Sequence, residues 1–276
     1  MIFMVQNIPT PIVKWAGGKR QLLEELAFRI PEEFDTYHEF FFGGGALYFH
    51  LWSENRIKKA YINDSNPELI NLYKVLKKSP YDIISELKEN GFKNDVKSFY
   101  SVRAMRPSEP VVRAARFVYL NKTAFNGLYR VNSKGEFNVP FGRYKNPTIC
   151  DEENLTLVSE ALKKVEIFNT DFSRIREYAR KGDFAYFDPP YHPLNGTAKF
   201  TSYTKDNFTL EDQTRLRDVF SELRTRGVCC MLSNSDTPVI RELYRTFKMS
   251  DVLARRMINC KADKRGPVSE LIVTNY

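Results

Sequence analysis

The chain has 276 residues, enough for one large domain or a domain carrying an insertion. With 42% hydrophobic and 28% charged residues it reads as a soluble globular protein, and no run of about eighteen apolar residues offers a membrane span. A net charge of +8 fits an anionic partner, whereas three histidines and four cysteines without ligand spacing argue against a metal site.

The first signal in chain order is Lys14-Trp15-Ala16-Gly17-Gly18-Lys19, ahead of a helical pattern over Arg20–Arg29. Glycines before a helix let backbone approach a ligand at the positive end of the dipole, and Lys19 adds a cation suited to an anionic group. Tyr37–Phe42 predicts a strand, Gly43-Gly44-Gly45 a turn and Ala46–Glu54 a helix, the opening βα unit of a nucleotide-binding sheet. The spacing is not that of the dinucleotide fingerprint. Ala60–Asn63 is a short strand ending in Asp64. An acid about twenty positions beyond the glycine turn, at the tip of the second strand, holds ribose hydroxyls in such folds. Asp64 could instead cap the helix from Pro67, but Asn66 is the better cap.

From residue 79 to about 147 the βα rhythm stops. Helical patterns at Tyr81–Lys88, Lys97–Ala104 and Pro110–Lys122 precede Val131–Val139, which alternates around Asn132-Ser133-Lys134-Gly135 as a hairpin. Residues 101–150 hold nine Lys/Arg against Glu109 and Glu136. Arg, Asn, Lys, Tyr and Phe interleaved on a hairpin suit groove reading and base displacement; a basic segment that merely packs on the core is the plainer alternative. A second basic cluster comprises Arg255, Arg256, Lys261, Lys264 and Arg265. After a helix over Asp151–Lys163, Val165–Phe168 predicts a strand ending near Asp171-Phe172. Asp171 can accept from an adenine amine and Phe172 can stack on its ring, although both could equally start the helix Ser173–Arg180. Further on come a polar stretch 192–206, an amphipathic helix Thr209–Arg226, a strand Val228–Leu232, a helix Pro238–Phe247, a basic loop 255–267 and a strand Glu270–Asn275.

Between these lies Phe184–Phe187, a buried-strand pattern stopped by Asp188-Pro189-Pro190-Tyr191. The turn offers a carboxylate, a carbonyl without a ladder partner and an aromatic face. Two acceptors can take both N–H bonds of an exocyclic amine on a planar base, which frees its lone pair for attack. An aspartate cap on an ordinary turn is the plainer reading.

Asp-Pro-Pro-Tyr resembles the catalytic motif of amino methyltransferases. From about Ile12 to Tyr276 the chain is similar to the Dam-type (D12 class) DNA adenine methyltransferases, most of all the GATC-methylating enzymes of restriction-modification systems. The resemblance implies an α/β fold, a mixed and mostly parallel Rossmann-like sheet, with an inserted helical and hairpin target-recognition domain at 79–147 between catalytic parts 1–78 and 148–276. It implies S-adenosylmethionine as methyl donor, without a metal, and duplex DNA as substrate. A cognate restriction endonuclease acting on the same site is a possible functional partner. For the cofactor it implies Trp15 and Lys19, the Phe-x-Gly-x-Gly match at Phe41, Gly43 and Gly45, and Asp64, Asp171, Phe172 and Asp188. The family usually has proline where Phe40 stands. Catalysis falls to Asp188, Pro189, Pro190 and Tyr191. On the DNA side it implies Lys14 on an outer guanine, and Phe125, Asn126 and Leu128 near the gap left by a flipped base. Arg130 and Asn132 would lie at base edges, Pro140 on a thymine methyl, and Arg143, Tyr144 and Lys145 on phosphates. A cytosine-N4 or RNA adenine methyltransferase and a non-enzymatic DNA-binding regulator stay open. The cysteines Cys150, Cys229, Cys230 and Cys260, with no Cys-x-x-Cys pair and no signal-peptide pattern, fit reduced thiols of a cytoplasmic protein, prokaryotic or phage-encoded.

Overall fold

The computed structural model describes residues 8–15, 17–193, 208–255 and 267–276. Ala16, Cys260, most of the polar stretch 192–206 and, beyond Arg255, the basic cluster and loop lie outside the described residues.

Seven strands form one sheet in the order β3-β2-β1-β4-β5-β7-β6. The strands are β1 (Tyr37–Glu39), β2 (Ala60–Asn63), β3 (Val165–Phe168), β4 (Phe184–Phe187), β5 (Cys229–Ser235), β6 (Lys248–Arg255) and β7 (Pro267–Thr274). The first five run parallel; β7 is antiparallel to both β5 and β6. Strand β4 is buried at every position, as a central strand covered on both faces must be. The chain leaves β1 towards β2 and β3, then returns to set β4 on the other side of β1. That reversal opens a crevice at the carboxyl ends of β1 and β4, where open α/β sheets bind ligands. The glycine turn and Asp188 both stand there.

The helices are α1 (Leu23–Ala27), α2 (Ala46–Ser53), α3 (Pro67–Lys78), α4 (Pro80–Glu89), α5 (Val96–Ala104), α6 (Pro110–Thr123), α7 (Glu152–Leu162), α8 (Ile175–Tyr178), α9 (Leu210–Thr225) and α10 (Pro238–Leu243). Their starts follow local chemistry. Asn66 caps α3 by accepting from the N–H groups of Glu68 and Leu69, with Pro67 at the first turn. Thr209 and Asp212 form a reciprocal capping box on α9. On one face of the sheet a single apolar cluster joins Tyr37, Ile62 and Met231 to Leu72 of α3, Phe117 of α6, Val158 of α7 and the hairpin residues Phe137 and Val139. On the other face Phe187 and Leu232 pack with Leu216, Phe220 and Ile240. The helices and hairpin of 79–147 therefore share their core with the sheet.

Several expected elements are shorter or divided. The pattern over 20–29 forms a 3-10 turn at Lys19–Gln21 and then α1, and the first strand ends at Glu39. The helix predicted over 173–180 is a 3-10 turn at Phe172–Arg174 leading into α8, and that over 238–247 ends at Leu243. Strand β6 was not foreseen: Lys248–Arg255 mixes charged, polar and apolar residues without clean alternation, and it is ordered by pairing along β7. Among the described residues no helix is long and apolar enough to cross a membrane, and no cluster of His, Cys, Asp or Glu is arranged to hold a metal. Cys150, Cys229 and Cys230 are free thiols, and burial raises the pKa of each.

Candidate active site

Strand β4 delivers Asp188 into the crevice beside β5. The register pairs Phe187 with Leu232, so Asp188 stands next to Ser233. The Asp188 Oδ1 atom accepts from the Lys19 ammonium at 2.7 Å and from the Ser233 hydroxyl at 2.9 Å. None of the described residues donates to Oδ2. Burial raises the Asp188 pKa above the ordinary carboxylate value, and the adjacent Lys19 charge and the two donors pull against that rise. The rest of the turn is pinned from β5, β7 and α9. Gln213 donates to the Pro190 carbonyl at 2.9 Å, and Asn234 Oδ1 accepts from the His192 N–H at 3.1 Å. The Tyr191 hydroxyl donates to Glu270 Oε2 at 2.7 Å, while Lys19 Nζ lies 4.7 Å from the centre of the Tyr191 ring.

The glycine turn is built by close approach. Gly43 has φ +50, and a Cβ there would stand 2.7 Å from the Trp15 indole; at Gly45, with φ +70, a Cβ would strike the Phe42 ring. Only glycine satisfies both limits. Asp64 ties the tip of β2 to this turn: its carboxylate accepts from the N–H groups of Gly43 and Asn66, each at 2.9 Å. Burial raises the Asp64 pKa, and those two N–H groups oppose the rise. Lys19 donates to the Gly17 carbonyl at 2.6 Å as well as pairing with Asp188, so one cation joins the two halves of the crevice. At the neighbouring strand ends Phe41 stacks on Phe172 with centroids 5.4 Å apart, and Phe208 lies edge-on to Phe41. Asp171 caps the 3-10 turn through the Ser173 N–H and also pairs with Arg215 at 2.9 Å.

The expected DNA-side residues fall into two groups. Phe125, Asn126, Arg130, Pro140, Arg143 and Lys145 are exposed, and Asn126 and Arg143 hold φ of +56 and +54. Leu128 and Tyr144 are half-buried. Lys14 lies 5.3 Å from the centre of the Tyr144 ring and packs on Gly127, where a Cβ would overlap its side chain. Arg130 donates through Nε to Asn138 Oδ1 at 2.8 Å inside the hairpin, and Asn132 is bonded at both ends of its amide. Its Oδ1 accepts from the N–H groups of Lys134 and Glu136, and its amide donates to Glu136, so its side chain is used inside the hairpin turn.

A family model described as D12 class N6 adenine-specific DNA methyltransferase matches residues 15–258. The chain belongs to this family. The type II methyltransferase M1.LlaDCHI of Lactococcus lactis subsp. cremoris is 45% identical over 274 residues, covering 96% of this chain and 95% of that protein. The type II methyltransferase M.MjaIII of Methanocaldococcus jannaschii is 45% identical over 287 residues, covering 96% and 99%. The DNA adenine methylase of Escherichia coli K12 is 34% identical over 264 residues, covering 94% and 93%.

In this D12 class methyltransferase, sequence reasoning missed four residues that shape the crevice: Glu39, Asn121, Ser233 and Glu270. Glu39, the last residue of β1, is buried and accepts from the Tyr37 hydroxyl at 2.8 Å. Burial raises its pKa well above the usual value. Asn121, near the end of α6, accepts from the Lys14 N–H and donates to the carbonyls of Lys14 and Gly127, stitching the Lys14-Trp15 segment to the loop before the hairpin. Ser233 and Glu270 required the register of β5 against β4 and β7, which spacing does not give.

Proposed function

We propose that the chain methylates N6 of adenine in duplex DNA, within GATC, using S-adenosylmethionine, and that 79–147 is its target-recognition domain. The observation that carries this is the state of Asp188. One of its oxygens accepts from Lys19 and Ser233, the other has no donor among the described residues, and Lys19 also lies over the Tyr191 ring. The crevice fits the cofactor part by part. Glycine bares the backbone of the turn beside Trp15, Asp64 can accept from ribose hydroxyls, and the half-buried Phe41, backed by the buried Phe172, offers an aromatic surface for adenine. Lys19 has a third N–H for the carboxylate of the amino-acid end.

When bound, the cofactor supplies a methyl group on a positively charged sulfur, which leaves as a neutral thioether. Asp188 Oδ2 and the Pro189 carbonyl accept the two N6–H bonds of the adenine, and Tyr191 stacks on its ring. As nitrogen takes on positive charge, Asp188 and the Pro189 carbonyl stabilise it with little reorganisation, because the turn is already pinned, and one N6 proton then passes by way of Asp188 Oδ2 to water, leaving neutral N6-methyladenine. Adenine N6 is paired inside a duplex, so the base must leave the stack, at a cost of a few kcal/mol. The exposed Phe125 and Asn126, with Leu128 beside them, can fill the gap, and Arg130 can bridge guanine O6 and N7. A cognate endonuclease would share the site without needing a stable complex.

The test is to express the chain in a host lacking adenine methylation and digest its DNA with nucleases that differ in sensitivity to GATC methylation. Protection from the methyl-sensitive nuclease, lost in Asp188→Ala, is expected. Unprotected DNA accompanied by methylation at another sequence would overturn the site, and no methyl-adenine at all would overturn the activity.

A further inference from the structure

The geometry points to Ser233 as a positioning residue for methyl transfer: with Tyr186 behind it, it fixes Oδ1 of Asp188 so that Oδ2 is the oxygen presented to the target amine. This rests on the reading that Asp188 accepts from that amine.

Three groups form a line, the two behind Asp188 fully buried. The Tyr186 hydroxyl lies 2.8 Å from Ser233 Oγ, and Ser233 Oγ lies 2.9 Å from Asp188 Oδ1. Ser233 is 0% exposed and Tyr186 1%. A carboxylate only accepts, so the single Ser233 proton goes to Asp188, and Tyr186 must donate to Ser233. The chain therefore has one direction, and each donor strengthens the next. Lys19 alone would neutralise Asp188, but a lysine head rotates and sets no plane for the carboxylate. A second donor from a rigid central strand fixes the rotamer. Ser233 is placed for this because β5 continues past the end of β4 in register.

The same bond favours the ionised form of Asp188. The charged and titratable groups around it are Lys19 from the 3-10 turn, Glu39 from β1, Tyr186 from β4 and Tyr191 with its partner Glu270 from β7. Ser233→Ala leaves all of these in place. It should raise the Asp188 pKa and move the acid limb of the rate profile towards higher pH.

The experiment measures single-turnover methyl transfer on a GATC duplex across pH for wild type, Ser233→Ala, Ser233→Thr, Tyr186→Phe and Asp188→Asn. Titration of Asp188 is followed in parallel by NMR in cofactor-free protein with labelled aspartate. Hydrogen bonds to charged groups predict a slowing of about tenfold in Ser233→Ala with binding of DNA and cofactor held within about twofold. The acid limb and the NMR titration should both move up, Thr should restore the rate, and Tyr186→Phe should move both readouts the same way by less. A wild-type rate in Ser233→Ala, an unmoved titration, or failure of Thr to outperform Ala would overturn the assignment. Should Ser233→Ala not fold, Tyr186→Phe decides by the same two readouts. If Asp188→Asn turns over normally, the reading of Asp188 fails and Ser233 with it. If Asp188→Asn is inactive while Ser233→Ala is unchanged, the Ser233 role alone fails.

Discussion

Glu39 shows what burial does to one charge. It lies at the end of β1, 3% exposed, with a hydroxyl partner from Tyr37 and no cation in contact among the described residues. Desolvation is the largest cause of its raised pKa, and the nearby carboxylates of Asp188 and Asp64 add to it. The native state therefore holds a proton on Glu39 at pH values where the unfolded chain has released it. Stability linked to that proton is complete below the ordinary value of 4.5 and is lost as pH rises towards the native pKa. Glu39→Gln keeps the shape and removes the titration. Thermal melts from pH 4 to pH 8 should show the variant gaining on wild type as pH rises, by about 1–3 kcal/mol at the upper end, the scale of a buried polar mismatch. A constant difference across that range would mean that Glu39 is ionised in the fold. The placement of Asp188, Tyr191 and the glycine turn at strand ends was legible from the sequence because the signals are local: a proline pair ending an apolar strand, and glycines ahead of a helix. Glu39 was not, since its role depends on which acids the crevice gathers from three strands.

At the scale of elements, α6 and the Lys14-Trp15 segment depend on one another through Asn121. Its amide serves three backbone groups, and it is 1% exposed. Trp15 in turn stacks on Tyr129 at 5.6 Å and covers Gly43, so this joint carries both the hairpin base and the glycine turn. Asn121→Ala strands buried donors and acceptors and should lower stability by about 2–4 kcal/mol, with a matching fall in melting temperature. Asn121→Asp keeps the acceptor for the Lys14 N–H but loses both donations, so it should be nearly as damaging. If either variant melts within about a degree of wild type, where 1 kcal/mol moves a domain of this size by a few degrees, the joint does not hold the segment. The helices were read correctly in place, since capping residues and apolar periodicity are local signals. The split at Leu22 was less visible, because the apolar spacing of Leu22, Leu23 and Leu26 runs on through it. The hairpin at 131–139 was legible from its glycine turn, yet its ladder is short: isolated bridges join Val131 to Phe137 and Ala124 to Phe141. Strand β6 escaped because it is an edge strand, where charged residues such as Lys248 and Asp251 and the exposed Leu253 obscure the alternation of a half-buried strand.

For the whole molecule, the sequence shows how much charge there is, and the structure shows how it is spent. Residues 101–150 hold nine cations, but several serve the fold. Arg106 pairs with Glu136 and Arg113 with Glu68, while Arg116 donates to the carbonyls of Val102 and Arg103. Arg103 donates to the Val139 carbonyl and lies over the Tyr100 ring. Arg143 and Lys145 are exposed and make no ion pair among the described residues. Arg143 is held in the left-handed region between two anchored neighbours: Gly142 donates to the Thr123 carbonyl, and the Tyr144 carbonyl accepts from Asn94. Such a backbone costs a non-glycine residue roughly 1 kcal/mol or more, which the surrounding bonds must offset. Phosphate contacts show themselves in salt dependence, each steepening the plot of log affinity against log salt by about 0.9. Arg143→Ala and Lys145→Ala should each flatten that slope by about one, on GATC and non-GATC duplexes alike. Arg113→Ala should leave the slope unchanged and lower the melting temperature instead. Arg143→Gly separates charge from strain: its slope should equal that of Arg143→Ala, while its melting temperature should be the higher of the two. Anisotropy titrations at several salt concentrations, with melts of the same proteins, measure both quantities. A slope flattened as much by Arg113→Ala as by Arg143→Ala would mean that the ion pairs seen here open on DNA, and the division between structural and DNA-facing cations would fall.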